Sequence, residues 1–256
     1  MKDIFLIILL TLTARTINAQ SITNASDIML AIKNGGDIRY SNTTIKGVLD
    51  FTFMNETLPK LSKRNRWWNS SGSNTVTKEI KNEIYFINCT FIDDVLAYIP
   101  HEESGYTFVA NFENRVTFKN CFFRKKALFK YSEFDKKVEC SLSKFYNDTT
   151  FKYAKFKDKS NFKGTYFDEP TTFKYANFEE YISFEDSVFD ETASFKYTKF
   201  NRGVSFNNVK FKEDLNLKYA KVKGPFDIKN MEVTFNIDAK YTNINGESFN
   251  KYQTNK

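Results

Sequence analysis

The chain has 256 residues and a formal net charge of +7 at pH 7; 27% of its residues are charged and 17% are aromatic. This amount of charged surface argues against an integral membrane protein, and the aromatic content is sufficient to fill one core. We therefore expect a single domain with polar outward positions. A basic balance also favours acidic partners over basic ones.

The first nineteen residues have the layout of a secretory signal peptide. Lys2 precedes an apolar run over residues 4–12, and Ala19 supplies a small residue before Gln20. The run is too short to span a bilayer, so the sequence predicts no membrane span. We expect residues 1–19 to be removed and the protein to be exported to the periplasm, the cell surface or the medium. The Ala-Gln junction favours a bacterial source.

A short capping helix is predicted within residues 20–37. Ser26 or Asp27 can cap its N-terminus, and Gly35 and Gly36 can end it. An amphipathic helix in this place would cover the open strand edges at the start of a repeat structure.

From residue 118 onward, phenylalanine recurs at steps of five and six residues. The positions are Phe118, Phe123, Phe129, Phe134, Phe145, Phe151, Phe156, Phe162, Phe167, Phe173, Phe178, Phe184, Phe189, Phe195, Phe200, Phe206 and Phe211. Cys140 replaces one Phe, and Leu217, Val222 and Ile228 continue the series. This spacing suits a chain that turns a corner after each short strand, and such units bury their apolar side chains by stacking on their neighbours.

Phe-Lys-Tyr begins at residues 129, 151, 173 and 195, and Leu-Lys-Tyr begins at 217, so one coil contains about 22 residues. Most residues two positions before the apolar series are Ala, Ser or Thr. In these features the chain resembles the pentapeptide-repeat family, in its Phe-rich form with an extra residue in alternate units. The resemblance implies an all-β, right-handed quadrilateral β-helix over residues 38–250.

Two stretches, residues 54–81 and 92–106, interrupt the repeat and are predicted to be loops. The first contains a basic and aromatic group that is a candidate for contact with a sugar, a membrane surface or a protein. That group consists of Arg64, Arg66, Trp67 and Trp68. The alternative is that the tryptophans fold back as a plug over the side of the coil. Long loops on a rigid scaffold are common sites of function.

Two surface columns follow from the 22-residue coil, one of lysines and one of tyrosines. They contain Lys130, Lys152, Lys174, Lys196 and Lys218, and Tyr131, Tyr153, Tyr175, Tyr197 and Tyr219. Two interpretations stay open. Either each Lys stem packs on a Tyr ring, or the columns form a basic aromatic face that binds a polyanion or a glycan, with the rings supplying flat contact area.

Cysteine placement predicts a candidate disulfide. Cys89 and Cys121 occupy the same inward corner of successive coils, where stacked rungs bring Cα atoms within bonding range. An exported protein meets oxidising conditions. Two buried free thiols are the alternative, and Cys140 is predicted to be an inert core thiol.

The sequence predicts no catalytic residue, no cofactor and no metal site. His101 is the only histidine, and it is followed by Glu102 and Glu103 with no second histidine to complete a metal site. Phosphate-binding glycine loops and paired-cysteine metal spacings are absent from the sequence. A carbohydrate-active β-helix enzyme is a weaker alternative, because the acidic residues of the two loops are sparse.

We therefore predict a non-enzymatic secreted scaffold that binds an anionic glycan, another polyanion or an envelope protein through the Lys/Tyr face and the N-terminal loops. Some pentapeptide-repeat proteins imitate DNA, but a basic chain is unsuited to that role. The alternative is a structural spacer that forms end-to-end homo-oligomers through its C-terminal coil. No capping helix is predicted before the polar tail at 251–256, so an open edge would be available for pairing.

Overall fold

The structure, a computed structural model, describes residues 21–62 and 74–253. These residues form a β-helix with four flat sides, and each side is a sheet of parallel strands that are mostly two residues long. We label the four sheets A to D and give their strands below. The chain passes through them in the order B, A, C, D and then begins the next coil. The predicted quadrilateral β-helix is confirmed.

Sheets B and A form two neighbouring sides of the solenoid. Sheet B contains Ile38–Ser41, Ile84–Ile87, Val116–Lys119, Val138–Glu139, Ser160–Asn161, Ile182–Ser183, Val204–Ser205 and Phe226–Asp227. Sheet A contains Ser21–Asn24, Thr43–Lys46, Thr90–Phe91, Phe122–Phe123, Lys144–Phe145, Tyr166–Phe167, Val188–Phe189, Lys210–Phe211 and Glu232–Val233.

Sheets C and D form the other two sides. Sheet C contains Leu49–Asp50, Val95–Leu96, Ala127–Leu128, Thr149–Thr150, Thr171–Thr172, Ala193–Ser194, Leu215–Asn216 and Ile237–Asp238. Sheet D contains Thr75–Ile80, Tyr106–Phe112, Glu133–Phe134, Lys155–Phe156, Asn177–Phe178, Lys199–Phe200, Lys221–Val222 and Asn243–Ile244. Tyr98–His101 pairs antiparallel with Tyr106–Phe112 at the edge of sheet D.

Strand register follows the sequence period. Phe156 pairs with Phe178, and Phe178 pairs with Phe200, so each coil advances by 22 residues. Inside, the phenylalanines form stacks: Phe173 lies 5.0 Å from Phe151 and 5.1 Å from Phe195 between ring centroids. These side chains are fully buried, so the core consists of parallel stacks of aromatic rings that run along the solenoid.

In the first three coils, the corner between sheets B and A is built on asparagine. Asn42, Asn88 and Asn120 have φ of 51° to 54°, a left-handed conformation that asparagine adopts readily. Their side chains also form a chain of hydrogen bonds: Asn88 Nδ2 donates to Asn42 Oδ1 at 3.0 Å, and Asn120 Nδ2 donates to Asn88 Oδ1 at 2.8 Å. Asparagine therefore suits this corner both by its left-handed backbone conformation and by its side-chain hydrogen bonds between coils.

At the N-terminal end, helix α1 (Ala25–Lys33) lies within the segment predicted to be the cap. Ala25, Ile28 and Ile32 are buried against the first coil. That predicted segment also contains the sheet A strand Ser21–Asn24, which adds a rung before the helix.

The two interruptions are shorter than the predicted loops at 54–81 and 92–106. In the first, helix α2 (Met54–Thr57) is followed by a 3₁₀ turn at Leu58–Lys60, but Thr75–Ile80 is a strand of sheet D. In the second, Val95–Leu96 is already part of sheet C. Both interruptions lie between a sheet C strand and a sheet D strand.

The C-terminal end differs from prediction. Helix α3 (Asn250–Gln253) begins at the last residue of the predicted β-helix and continues into the segment predicted to be a polar tail, where no cap was expected. Phe249 is buried, and Tyr252 contacts the ring of Phe226 with centroids 5.5 Å apart. Phe249 and Tyr252 therefore attach the C-terminal segment to the last coil.

Some predicted features fall outside the described residues, and they stay predictions. These are the signal peptide at 1–19 and the group Arg64, Arg66, Trp67 and Trp68. Over residues 21–62 and 74–253, no helix has the length and apolar character needed to cross a bilayer.

Candidate functional site: the Lys/Tyr ladder

The Phe-Lys-Tyr motif forms the corner between sheets C and D. In the coil of Phe173, Ala176 N donates to Phe173 O at 2.8 Å, which closes a β-turn over four residues. Tyr175 is the third residue of this turn and has φ of 61°, as a type II turn requires. Thr172 Oγ1 accepts a hydrogen bond from Lys174 N at 3.2 Å and supports the turn from the sheet C side.

Six tyrosines stack at this corner, one from each of six successive coils. Their centroid separations, in order along the stack, are 5.0, 4.7, 4.7, 4.7 and 4.9 Å, and the interplanar angles are 1° to 20°. We name the whole feature the Lys/Tyr ladder, and it consists of Lys130, Tyr131, Lys152, Tyr153, Lys174, Tyr175, Lys196, Tyr197, Lys218, Tyr219, Lys240 and Tyr241. The last pair is absent from the sequence prediction because Ala239 stands where the motif has Phe. Its position 22 residues after Lys218 and Tyr219 was the available signal.

The stack decides which part of each tyrosine a ligand can reach. Tyr153, Tyr175, Tyr197 and Tyr219 have a neighbouring ring on both faces. The flat contact area that the sequence suggested is therefore not available at these four positions. Ring edges and hydroxyl groups are what they present to solvent.

Each ladder lysine lies beside the tyrosine that follows it. Nζ is 5.3 Å from the ring centroid for the Lys152, Lys174 and Lys196 pairs, and 5.9 Å for Lys218. These lysines are half-buried, so their stems pack on the corner while their ammonium groups reach solvent. This is the packing that the first interpretation of the columns requires, and it leaves the charges available to a ligand.

The ladder lysines form no ion pair with any carboxylate in the part of the chain that the structure describes, whereas ten other lysines do. Glu133 is close in sequence, but its carboxylate pairs with Lys155 and Lys157 instead. Burial, and then the neighbouring charges of Lys130 and Lys174, lower the pKa of Lys152. Among the described residues, the column therefore carries repelling positive charges that no carboxylate pairs with.

The second interruption closes the N-terminal end of the ladder. Lys130 Nζ donates to Tyr98 Oη at 3.1 Å and lies 4.7 Å from the centre of that ring. Burial lowers the pKa of Lys130, but the hydrogen bond to Tyr98 and the charge interactions raise it above the ordinary value overall. Tyr98 also packs on Tyr131, with centroids 5.9 Å apart. Lys130 is thus already engaged by a side chain that the repeat pattern did not point to.

The cysteines lie in the core. Cys89, Cys121 and Cys140 are buried and free in the structure, and Cys89 and Cys121 are near enough to share a hydrogen bond. Their flanking residues are in register, since Phe122 pairs with Thr90. Burial raises the pKa of Cys121 and of Cys140. The disulfide between Cys89 and Cys121 stays a prediction.

His101 is the last residue of the strand Tyr98–His101 and pairs with Tyr106 beside the turn. Its Nδ1 is 2.9 Å from Ser104 Oγ, a contact within the turn itself. The described residues hold no cluster of three or more histidine, cysteine, aspartate or glutamate side chains that could bind a metal ion.

The fold and this repeated corner define a class of protein: a solenoid scaffold in which stacked short strands present one surface motif many times. Residues 151–198 and 173–221 match the family model described as pentapeptide repeats, with nine copies. The repeat region of this chain belongs to the pentapeptide-repeat family, whose members are generally non-enzymatic scaffolds. No curated protein and no solved structure matches the chain.

Proposed function

We propose that this protein is a non-enzymatic binding scaffold that holds a linear polyanion along the Lys/Tyr ladder, at the cell envelope or outside the cell. One observation carries the proposal: six lysines stand in a single column and none forms an ion pair among residues 21–62 and 74–253. A surface that served only for solubility would be expected to interleave charges of both signs, as the other faces do.

Repulsion between the lysine ammonium groups favours the binding of an anionic ligand. Neighbouring ammonium groups near one rung apart repel each other by roughly 1 kcal/mol per pair in water before salt screening. A bound polyanion removes that repulsion and adds attraction at every rung. Because the contacts are exposed, the binding depends strongly on ionic strength.

The proposed location rests on the first nineteen residues. Lys2, the apolar run at 4–12 and Ala19 have the order of a signal peptide. Export would bring the ladder to surface glycans and other polyanions of the envelope. N-terminal sequencing of the secreted or periplasmic protein tests this part separately.

The direct test is heparin binding by the mature chain across a salt series. The ladder variant is Lys152→Gln, Lys174→Gln and Lys196→Gln together. The matched control changes three exposed lysines on other faces, Lys119, Lys159 and Lys229, to Gln, so that the net charge of the two variants is equal.

We expect salt-sensitive binding by the wild type and the control, and much weaker binding by the ladder variant. Equal losses in both variants would show that only total charge matters and would overturn the ladder as the site. Absence of binding by the wild type would overturn the proposed function.

A second candidate function, end-to-end assembly, is favoured by the last coil. Phe235 is 60% exposed there, and Val233 and Ile237 are only partly covered despite α3. An exposed apolar rung is suited to contact with a second copy of the chain. A sedimentation coefficient that rises with protein concentration, and that no longer rises after Phe235→Ser, supports this function; a monomer at every concentration contradicts it.

A further inference from the structure

We infer that the ligand of the ladder is a linear acidic polysaccharide with one carboxylate on each sugar. This inference rests on the proposed function and makes it more specific. It depends on three properties of the ladder: the spacing of its rungs, the groups that each rung presents, and the surfaces that the stack hides.

The spacing is regular over the middle of the ladder. Tyr175 and Tyr197, and then Tyr197 and Tyr219, are 4.7 Å apart with planes 1° from parallel. The column is therefore straight and repeats at the inter-strand distance. One pyranose ring in an extended polysaccharide covers a similar length, so a carboxylate on every sugar places one negative charge near every ammonium group.

Each rung presents two kinds of donor. One is the lysine ammonium group, and the other is the tyrosine hydroxyl. The hydroxyls of Tyr153, Tyr175, Tyr197 and Tyr219 have no hydrogen-bond partner among the described residues. Burial, and then the neighbouring tyrosines, raise the pKa of Tyr197, so this hydroxyl keeps its proton at neutral pH. A carboxylate has two oxygen atoms and can accept from both donors.

The hidden surfaces argue against other polymers. Single-stranded nucleic acids bind by stacking bases on aromatic faces, and those faces are covered over the four inner rungs. Neutral sugars also need an open ring face. Duplex DNA carries about one charge per 1.7 Å of axis on two strands, which one column of lysines cannot match.

The length of the site is also defined. Lys130 is engaged by Tyr98, so the available column runs from Lys152 to Lys240 and contains five ammonium groups. Affinity should rise with each sugar up to about five sugars. Beyond that length only the number of possible registers increases.

The test uses calorimetry with polymannuronate, which has a carboxylate on every sugar, and hyaluronan of equal chain length, which has one on every second sugar. The key variant is Tyr175→Phe, Tyr197→Phe and Tyr219→Phe, because phenylalanine keeps the ring stack and removes only the hydroxyls. Circular dichroism checks that its fold is unchanged.

We expect the wild type to bind polymannuronate at least about ten-fold more tightly than hyaluronan. The Phe variant should lose at least about ten-fold in affinity for polymannuronate, since even one lost charge-assisted hydrogen bond accounts for that much. Equal affinity for the two glycans, or an unchanged affinity in the Phe variant, overturns the inference.

The two proposals fail in different ways. If the wild type binds neither heparin nor polymannuronate, the proposed function fails. If heparin binding is salt-sensitive and is lost in the lysine variant, but the wild type binds polymannuronate and hyaluronan with equal affinity, only the carboxylate inference fails.

Discussion

The rings of Tyr175 and Tyr197 lie one above the other, 4.7 Å apart and within 1° of parallel, and both residues have φ of 61°. A left-handed conformation costs a residue with a Cβ atom roughly 1–2 kcal/mol. Each aromatic pair returns about 0.5–1.5 kcal/mol, and an inner ring makes two such pairs. Stacking therefore lets tyrosine stand in a turn position where glycine or asparagine is usual.

This balance predicts different outcomes for two substitutions that both remove the ring of Tyr175. Tyr175→Asn keeps a residue that adopts positive φ readily, whereas Tyr175→Val places a β-branched residue there. We expect Tyr175→Val to lower the free energy of unfolding by about 2 kcal/mol more than Tyr175→Asn. Urea denaturation measures the difference, and equal values would show that the backbone carries no strain.

The phenylalanine column predicts a large effect from a single truncation. Phe173 is fully buried between Phe151 and Phe195. Phe173→Ala should cost about 3–5 kcal/mol, and Phe173→Leu less than about 1.5 kcal/mol. Because a coil contacts only its neighbours, amide hydrogen exchange in Phe173→Ala should accelerate first in the adjacent coils. Uniform acceleration along the chain would contradict this.

Two glycines with positive φ allow the cost of a steric clash to be separated from the cost of the backbone conformation alone. At Gly203, with φ of 99°, an added Cβ would lie 2.5 Å from Pro225 O, whereas at Gly105, with φ of 69°, nothing lies within 4 Å. We expect Gly105→Ala to cost about 1 kcal/mol and Gly203→Ala about 2–4 kcal/mol. Melting temperatures of the two variants test the order, and similar values would show that Pro225 moves away freely.

Glu139 should contribute to the loss of stability of the fold at acid pH. Burial raises the pKa of its carboxyl group, but hydrogen bonds from Ser141, Lys137 and Asn161 outweigh burial and leave the pKa below its ordinary value. A lowered folded-state pKa stabilises the protein above the unfolded value, about pH 4.3, and this contribution is lost as the pH falls through the folded value.

Glu139→Gln should therefore destabilise the protein at pH 7 and have a smaller effect near pH 3. Glu191→Gln is the control, since Glu191 is exposed and its side chain has no hydrogen bond among the described residues. Urea denaturation at both pH values gives the comparison. An equal destabilisation by Glu139→Gln at pH 3 and pH 7 would show that the charge of the carboxylate is irrelevant.

The three cysteines predict a simple alkylation result. Burial raises the pKa of Cys121 and of Cys140, so neither thiol should react with iodoacetamide in the folded protein at neutral pH. In denaturant without reductant, mass spectrometry should find one alkylated cysteine if Cys89 and Cys121 are bonded and three if they are not. Rapid modification of Cys140 in the folded protein would contradict its burial.

Much of this fold could be predicted because the same few residues recur at fixed spacing. Each Phe of the series needs a neighbour at the same place in the next coil, so the period alone fixes the strand register. Tyr98 could not be predicted as a partner of Lys130, because it belongs to a hairpin that occurs once. Helix α3 was missed for a similar reason: Tyr252 of this helix contacts Phe226, and that contact is not part of the repeat pattern.

The sequence also placed the ladder residues in their columns but not the orientation of their rings. Lysines and tyrosines 22 residues apart must align once the coil is known. Whether the tyrosine faces are open or covered depends on side-chain angles at a left-handed turn position, and a residue pattern carries no information about those angles. That orientation reverses the expected role of the rings, from contact surface to support.

The 22-residue register has an evolutionary consequence. Duplication or loss of one coil, such as residues 174–195, joins equivalent corners and leaves every strand with an equivalent neighbour. Such an event changes the ladder by one lysine and one tyrosine and disturbs neither end of the molecule. The length of polymer that the proposed site would hold can thus be reset in units of one rung by unequal crossing-over within a single gene.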